Sequence, residues 1–332
     1  MKKKFISFAV FALAAARGIF ALAGCAGGAS NGAASASADA SASAAAANAI
    51  EFDGKLVVGF DQEYPPYGFV GEDGEFTGFD TELAKAVCAK LGVEPEYSED
   101  FKNSGYYKLY EGTTALMFDA GELGPYFVSD HGHCDCLSFE LSIGGAPLFV
   151  NSGTYKYDTS DRAYFRSTAA HNTAVPKDCE QAELWGKYGV SRRMSNIRCA
   201  RSENGLAASC ILYDGTDHAR SITLSHGEFT VMDDIINTSV QQIHSYLHIA
   251  PGCDVIKRGG KYMILRGGID ICTLTPKGCD CVLHTSGLLT SYAPDMGRLE
   301  HTTCLEFLWE KDGEPHGYTC ELRTDAASVP EI

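Results

Sequence analysis

The stretch His131-Gly-His-Cys-Asp-Cys-Leu-Ser-Phe-Glu-Leu-Ser-Ile-Gly-Gly145, followed by Tyr164-Phe-Arg-Ser-Thr-Ala-Ala-His-Asn-Thr173, decides how the chain is read. From Leu137 to Ile143 apolar and polar residues alternate, the period of a strand with one buried face, and Gly144-Gly145 closes the run as a turn. His131, His133 and His171 therefore sit around strand-like sequence, and a β scaffold is expected to carry them.

The same pattern extends outward from this stretch. Short alternating runs at 106–111, 114–120, 137–143, 147–151, 206–213, 219–225, 228–236, 243–249, 261–265, 269–275, 304–309 and 317–323 are separated by Gly, Asp and Asn turns. That density predicts a mainly β fold over 104–332, an antiparallel β-sandwich, preceded by a short α/β segment. Within the sandwich only Asp178 to Trp185 reads as helical.

Upstream the sequence changes character. Lys2, Lys3 and Lys4, an apolar run from Phe5 to Ala23 and Leu22-Ala-Gly-Cys25 have the order of an export signal with a lipobox over 1–25, Cys25 being the lipidated residue. Arg17 departs from that pattern, since a charge in an inserting segment costs about 2.5–3.5 kcal/mol. Residues 26–50 are mostly Ala, Ser, Gly and Asn, too polar and small to offset ordering entropy, and read as a tether. An exported chain, lipid-anchored on the outer face of a membrane, is the expectation.

Residues 51–103 form a third region. Leu56-Val-Val-Gly-Phe60 reads as a buried strand. Phe79, Leu83, Val87 and Leu91 recur at helical spacing, with Asp80 as N-cap and Gly92 as stop, and Val93 to Tyr97 reads as a second strand.

Composition bounds the partners. The chain has 332 residues, 45% of them hydrophobic, and a formal charge of -16, which argues against a sequence-independent grip on nucleic acid. An anionic polymer can bind only where local basic residues overcome the general repulsion. Of the 13 cysteines, Cys25 lies in the leader and Cys88 in the helix; the irregularly spaced remainder is unlike a disulfide framework, although the leader points to an oxidising compartment.

Two resemblances follow from these residues. Residues 51–100, above all Gly78 to Leu91, resemble the start of extracellular solute-binding proteins of family 3, receptors of amino-acid ABC transporters. That resemblance implies Asp61 and Tyr64 as ligand-binding groups, with Tyr67 or Phe69 as further wall and a transporter permease as partner; alternatively the aromatics only pack a lobe. It stops near residue 100.

Ser104-Gly-Tyr-Tyr107, Phe118-Asp-Ala-Gly-Glu-Leu-Gly-Pro125, His131-Gly-His133, Leu137 to Leu141, Gly153-Thr-Tyr-Lys-Tyr157 and Tyr164 to Thr173 resemble, in order, the C-terminal domain of heparinase II/III-type polysaccharide lyases. These enzymes cleave acidic, uronate-containing polysaccharides by β-elimination, which requires a base for the C5 proton, an acid for the departing O4 and neutralisation of the sugar carboxylate. Imidazole and phenol suit the proton steps.

This second resemblance implies His131 as a proton-transfer residue, with Tyr155, Tyr157 and Tyr164 as further candidates. It also implies zinc held by His133, residue 151 and His171. Position 151 is Asn151 where the family generally has Asp, which removes a charge and weakens the site. Asp135 is an alternative oxygen donor, and Cys134 with Cys136 an alternative thiolate pair. Arg162, Arg166, Arg192 and Arg193 are the basic concentration nearby, either binding sugar carboxylates or simply solvated.

Lyases of this type also carry an α/α toroid ahead of the sandwich, and no long helical region lies between the leader and residue 104. The expectation is half of a lyase, inactive alone and partnered by a separate toroid. A membrane-tethered carbohydrate-binding module and an amino-acid-binding lipoprotein are the other readings.

Overall fold

The computed structural model describes residues 55–58, 63–64, 68–71, 75–97, 101, 104–124 and 130–323. The leader with Cys25, the tether and Asp61 lie outside the described residues, as does the side chain of Tyr64.

Two eight-stranded sheets dominate. The first runs in the order Asp280–His284, Thr303–Glu310, Gln242–Ile249, Ala146–Phe149, Phe139–Ile143, Thr114–Asp119 and Tyr106–Glu111, with Ala174–Pro176 pairing onto Gln242–Ile249. The second runs Ser195–Ser202, Gly205–Ile211, Asp217–Ser225, Glu228–Ile236, His316–Leu322, Ile269–Lys277, Lys261–Arg266 and Cys253–Arg258. All of these pairings are antiparallel.

Alternation in the sequence becomes the core. Along Glu228–Ile236 every second side chain is buried, and one apolar cluster draws on both sheets. Phe139 and Phe149 of the first sheet meet Phe229 of the second at ring-centroid distances of 5.2 and 6.0 Å, and Phe307 stacks on Tyr318 at 4.5 Å. The expected antiparallel β-sandwich is what forms.

Two departures from the sequence reading have physical causes. Ser195–Ser202, Cys253–Arg258 and Asp280–His284 are strands outside the alternating runs of the sequence, and each is a sheet edge. An edge strand faces water along one side and carries charge there, as Arg198, Arg201, Asp254, Lys257 and Arg258 do, so its alternation is blurred. The expected helix at Asp178–Trp185 does not form. Asp178 takes a left-handed φ of 58° and Leu184–Trp185 pairs with Gly189–Val190. Polar side chains there hydrogen-bond outside the segment: the Glu180 carboxylate accepts from Thr168 N and Oγ1, both at 2.6 Å, and Gln181 bonds the backbone of Cys136.

Ahead of the sandwich, Lys55–Val58 pairs in parallel with Glu94–Tyr97, with the helix Phe79–Leu91 between them in sequence. Gly92 ends the helix in the left-handed region at φ 69°, as expected, but the N-cap is Gly78 rather than Asp80. The apolar stripe is also corrected. Phe79, Leu83, Val87 and Leu91 are 63, 52, 40 and 49% exposed, and the buried residues of the helix are Thr81 and Cys88.

Candidate functional site

A cavity of about 900 Å³ opens beside the first sheet. His131, Gly132, His133 and Asp135 line one part of it, Asn151, Gly153 and Thr154 another, Tyr106 and Asp119 a third, and Ser195 to Ile197 of the second sheet complete the lining.

Local geometry explains why these groups converge. A Cβ on Gly132 would lie 2.3 Å from Leu123 Cδ2 and 2.5 Å from its carbonyl oxygen, so only glycine allows the segment between the two imidazoles to pack there. Gly153 has φ 75°, and a Cβ would meet the Ala293 carbonyl at 2.1 Å. Arg162 donates to the Asp130 carbonyl at 3.0 Å; Arg166 donates to those of Gly132 and Lys187, each at 3.0 Å. Both arginines are 1% exposed. Arg162 and Arg166 thus direct guanidinium donors to backbone carbonyls of the histidine-bearing loop and of Lys187, while Arg162 Nε and Arg166 Nη2 are buried without a partner.

Behind the cavity lies an ordered polar layer. Gln181 bonds both the N–H and the carbonyl of Cys136, at 3.0 and 2.8 Å. Asn172 donates to the carbonyls of Phe139 and Val150 at 2.8 and 3.1 Å, and accepts from His248 N at 2.7 Å. Arg220, fully desolvated, forks onto Asp233 at 2.7 and 2.8 Å and donates to the carbonyls of Leu137 and Asn172. His218 also bonds Asp233 at 2.7 Å. These buried charges satisfy one another, which makes their burial tolerable. No motif in the linear sequence marked Arg220, Asp233 or Gln181, because their partners lie far away along the chain.

Among the described residues, His133, Asp135 and His171 bring ligand-type atoms within 4.8 Å of one another. The His133 and His171 rings are 5.3 Å apart. His171 is fully buried and neither of its ring nitrogens has a hydrogen-bond partner. Burial, with neighbouring Arg162, Arg166 and His131, lowers the His133 pKa to about 4, and burial together with His133 and His248 holds His171 well below its ordinary value. Both imidazoles are thus neutral near pH 7 and have lone pairs to offer. Burial pushes the Asp135 carboxyl up to about 7. Asn151 lines the same cavity, with its Oδ1 accepting from Gly153 N at 2.9 Å. Cys134 and Cys136 are buried, and burial raises the Cys134 thiol; for Cys136 a hydrogen bond with Cys210 raises it first and burial second. Neither belongs to the metal-type cluster.

His131 is exposed and its Nδ1 lies 3.1 Å from the Tyr157 hydroxyl, the rings meeting edge-on at 5.2 Å. Arg162 lies 4.6 Å from the centre of the Tyr157 ring. The other two phenols differ. Tyr164 is buried in a small cluster with Phe165, Ala170 and Ala293, and Tyr155 packs against that cluster. The Tyr164 hydroxyl is buried without a hydrogen-bond partner, and Tyr155 is half-buried. Tyr106 and Asp119, not singled out in sequence, face the cavity. Burial and then Asp135 raise the Asp119 carboxyl, and Asp119 in turn raises the Tyr106 phenol.

Two packed antiparallel sheets with clustered imidazoles at one cavity define a β-sandwich with a candidate functional site. The chain belongs to the family described as heparinase II/III-like, C-terminal, which it matches over residues 93–296. Residues 56–114 match the bacterial extracellular solute-binding proteins, family 3, so the chain joins segments of two families.

Curated relatives divide in the same way. The L-cystine-binding protein TcyJ of Escherichia coli K12 is 45% identical over 47 residues, 14% of this chain and 18% of that protein. The heparin-sulfate lyase of Bacteroides stercoris is 28% identical over 184 residues, 50% of this chain and 25% of that one. Among solved structures, a heparinase III with methylated lysines superposes with a TM-score of 0.55 at 18% identity, over 81% of this chain and 45% of that one. The heparan sulfate lyase HepC of Pedobacter heparinus gives 0.52 at 14%, over 73% and 39%. These superpositions establish the fold. The chain spans a quarter or less of the two curated relatives and less than half of each solved one.

Proposed function

We propose that the chain supplies the sandwich half of a polysaccharide lyase acting by β-elimination on acidic, uronate-containing polymers. The observation that carries this reading is the exposed His131–Tyr157 pair at 3.1 Å, next to a cavity into which His133 and Asp135 also project. An imidazole and a phenol in hydrogen-bond contact can take a proton from one sugar atom and return it to another. His133, His171 and an oxygen donor suit zinc, which, when bound, supplies positive charge to the cavity wall. The remaining residues act as holders: Arg162 and Arg166 fix the loop, and Arg220 with Asn172 fixes its far end. A separate α/α toroid supplies the other wall of the cleft. Export and lipid anchoring through Cys25 belong to the same proposal.

The test is absorbance of the unsaturated uronate product from heparan-type polymer. The chain alone is expected to give none, since catalytic groups acting as a unit lose most of their effect when part is removed. Addition of a separately expressed toroid from a related lyase is expected to give product that disappears with His131→Ala. No product with that toroid, under conditions where the toroid is rescued by its own sandwich, overturns the proposal.

A further inference from the structure

We propose that the hairpin formed by Leu184–Trp185 and Gly189–Val190 carries a sugar-stacking subsite, in which Trp185 and Tyr188 receive pyranose rings of the same acidic polysaccharide that meets the His131–Tyr157 pair. The assignment rests on the proposed function and extends its site beyond the cavity.

Exposure is the first observation. Trp185 is 65% and Tyr188 40% exposed, whereas Trp309, the other tryptophan of the chain, is 7% exposed. Large rings left in water on a short hairpin mark a binding surface, and Trp and Tyr are the residues that most often anchor one. The indole also has a fixed seat. Trp185 pairs with Gly189 in register, and a Cβ on Gly189 would come within 2.3 Å of the indole ring, so only glycine lets the ring lie there.

Continuity with the cavity is the second. The Tyr188 ring stacks on that of Tyr157 at 6.5 Å and 27°, and Tyr157 meets His131, which lines the cavity. Rings therefore lead from the cavity onto the hairpin. Buried Arg166 ties the two together: Nε donates to the carbonyl of Gly132, beside His131, and Nη1 to that of Lys187, beside Tyr188, each at 3.0 Å. Lys187 Nζ donates to the Asp158 carbonyl at 2.7 Å, and at the hairpin base Arg192 forks onto Glu183 at 2.9 and 3.1 Å. The platform is thus tethered on both sides, which lowers the ordering cost of binding.

Chemistry selects the occupant. A pyranose presents C–H bonds on one face, and these carry slight positive charge that suits the negative face of an aromatic ring, while the hydroxyls stay in water. The exposed run Trp185-Gly-Lys-Tyr188 offers two rings, one cation and no aliphatic side chain, which fits a sugar chain better than an apolar protein surface. Lys187 between the rings, and exposed Lys156 next to Tyr157 in sequence, supply local positive charge on a chain of formal charge -16; Asp158 opposes them.

The experiment uses the full chain and a size-defined heparan-type hexasaccharide, with no toroid added. A saturable change in tryptophan emission is expected, and it should vanish in Trp185→Ala because Trp309 is buried. By calorimetry Trp185→Ala should weaken binding at least about fivefold and Tyr188→Ala should weaken it too, while Trp185→Phe, which keeps a ring, stays within about threefold of the parent. Recovery by phenylalanine separates stacking from a disturbed hairpin. Equal affinity of Trp185→Ala and the parent, an emission change that survives Trp185→Ala, or no binding up to about 1 mM overturns the assignment. So does a change in Trp185 emission on adding a toroid without sugar, which would make the hairpin a protein interface. Product formation with a toroid is measured apart: binding through Trp185 without product refutes the lyase reading alone, and product with an unchanged KM in Trp185→Ala refutes the subsite alone.

Discussion

Arg220 of the second sheet donates from Nη1 to the carbonyl oxygen of Leu137 at 2.7 Å, reaching across the sandwich to the segment that carries Asp135. Leu137 is held at φ 61°, a left-handed conformation that a leucine adopts only under constraint, and the same guanidinium also binds the carbonyl of Asn172, next to His171. One buried cation thus binds the backbone close to two of the three metal-type groups. Its counter-ion is Asp233, shared with His218. Asp233→Ala leaves both cationic groups buried and unpaired, and should cost about 3–5 kcal/mol in urea unfolding. A loss below about 1 kcal/mol would contradict this account of the network.

Arg166 makes a prediction of a different kind. Its Nε and Nη1 bind two carbonyls, of Gly132 and Lys187, which a single ammonium cannot reach together. Arg166→Lys should therefore lower stability nearly as much as Arg166→Ala, by about 1–3 kcal/mol. If charge toward a sugar were its role, Arg166→Lys would leave the thermal melt unchanged.

His248 gives a pH dependence. It is fully buried, its Nε2 lies 3.0 Å from the Ala169 carbonyl oxygen, and burial lowers its pKa to about 4. The unfolded imidazole titrates near 6.5, so between about pH 6.5 and 4 the unfolded chain binds the extra proton and this residue's contribution falls as pH falls. Raised carboxylates such as Asp135 act in the opposite direction, so the prediction concerns the difference between variants. Relative to the parent, His248→Gln should remove about 2 kcal/mol of stability change between pH 7 and pH 5. Parallel stability-versus-pH curves for the two proteins would refute it.

The exposed stripe of the helix Phe79–Leu91 is testable by charge. Leu83→Lys and Val87→Glu should change unfolding free energy by no more than about 0.5 kcal/mol, because neither side chain is in the core. A loss of about 2 kcal/mol or more from either would mean that this face is covered.

Much of the architecture was legible in one dimension. Strand runs such as Glu228–Ile236 declare themselves because a half-buried strand needs an apolar residue at every second position, a local constraint written in consecutive residues. Gly92 as helix stop and the Lys55–Val58, helix, Glu94–Tyr97 order are local in the same sense. The pairing of His131 with His133 across one glycine, and the absence of a carboxylate at position 151, also needed nothing beyond the letters. What the letters could not decide was which polar groups turn inward. Arg162 and Arg166 read as free charges until the fold surrounded them with carbonyls, and Tyr164 reads like Tyr157 until packing buries one and leaves the other against His131. Phe79, Leu83, Val87 and Leu91 recur at helical spacing, yet only the fold shows that this face stays exposed. Asp135 comes within reach of His171 only through the fold, with Arg220 of the other sheet bonding the carbonyls of Leu137 and Asn172 nearby. Periodicity is a property of neighbours in sequence, whereas desolvation and hydrogen-bond partnership depend on residues brought together from tens of positions away.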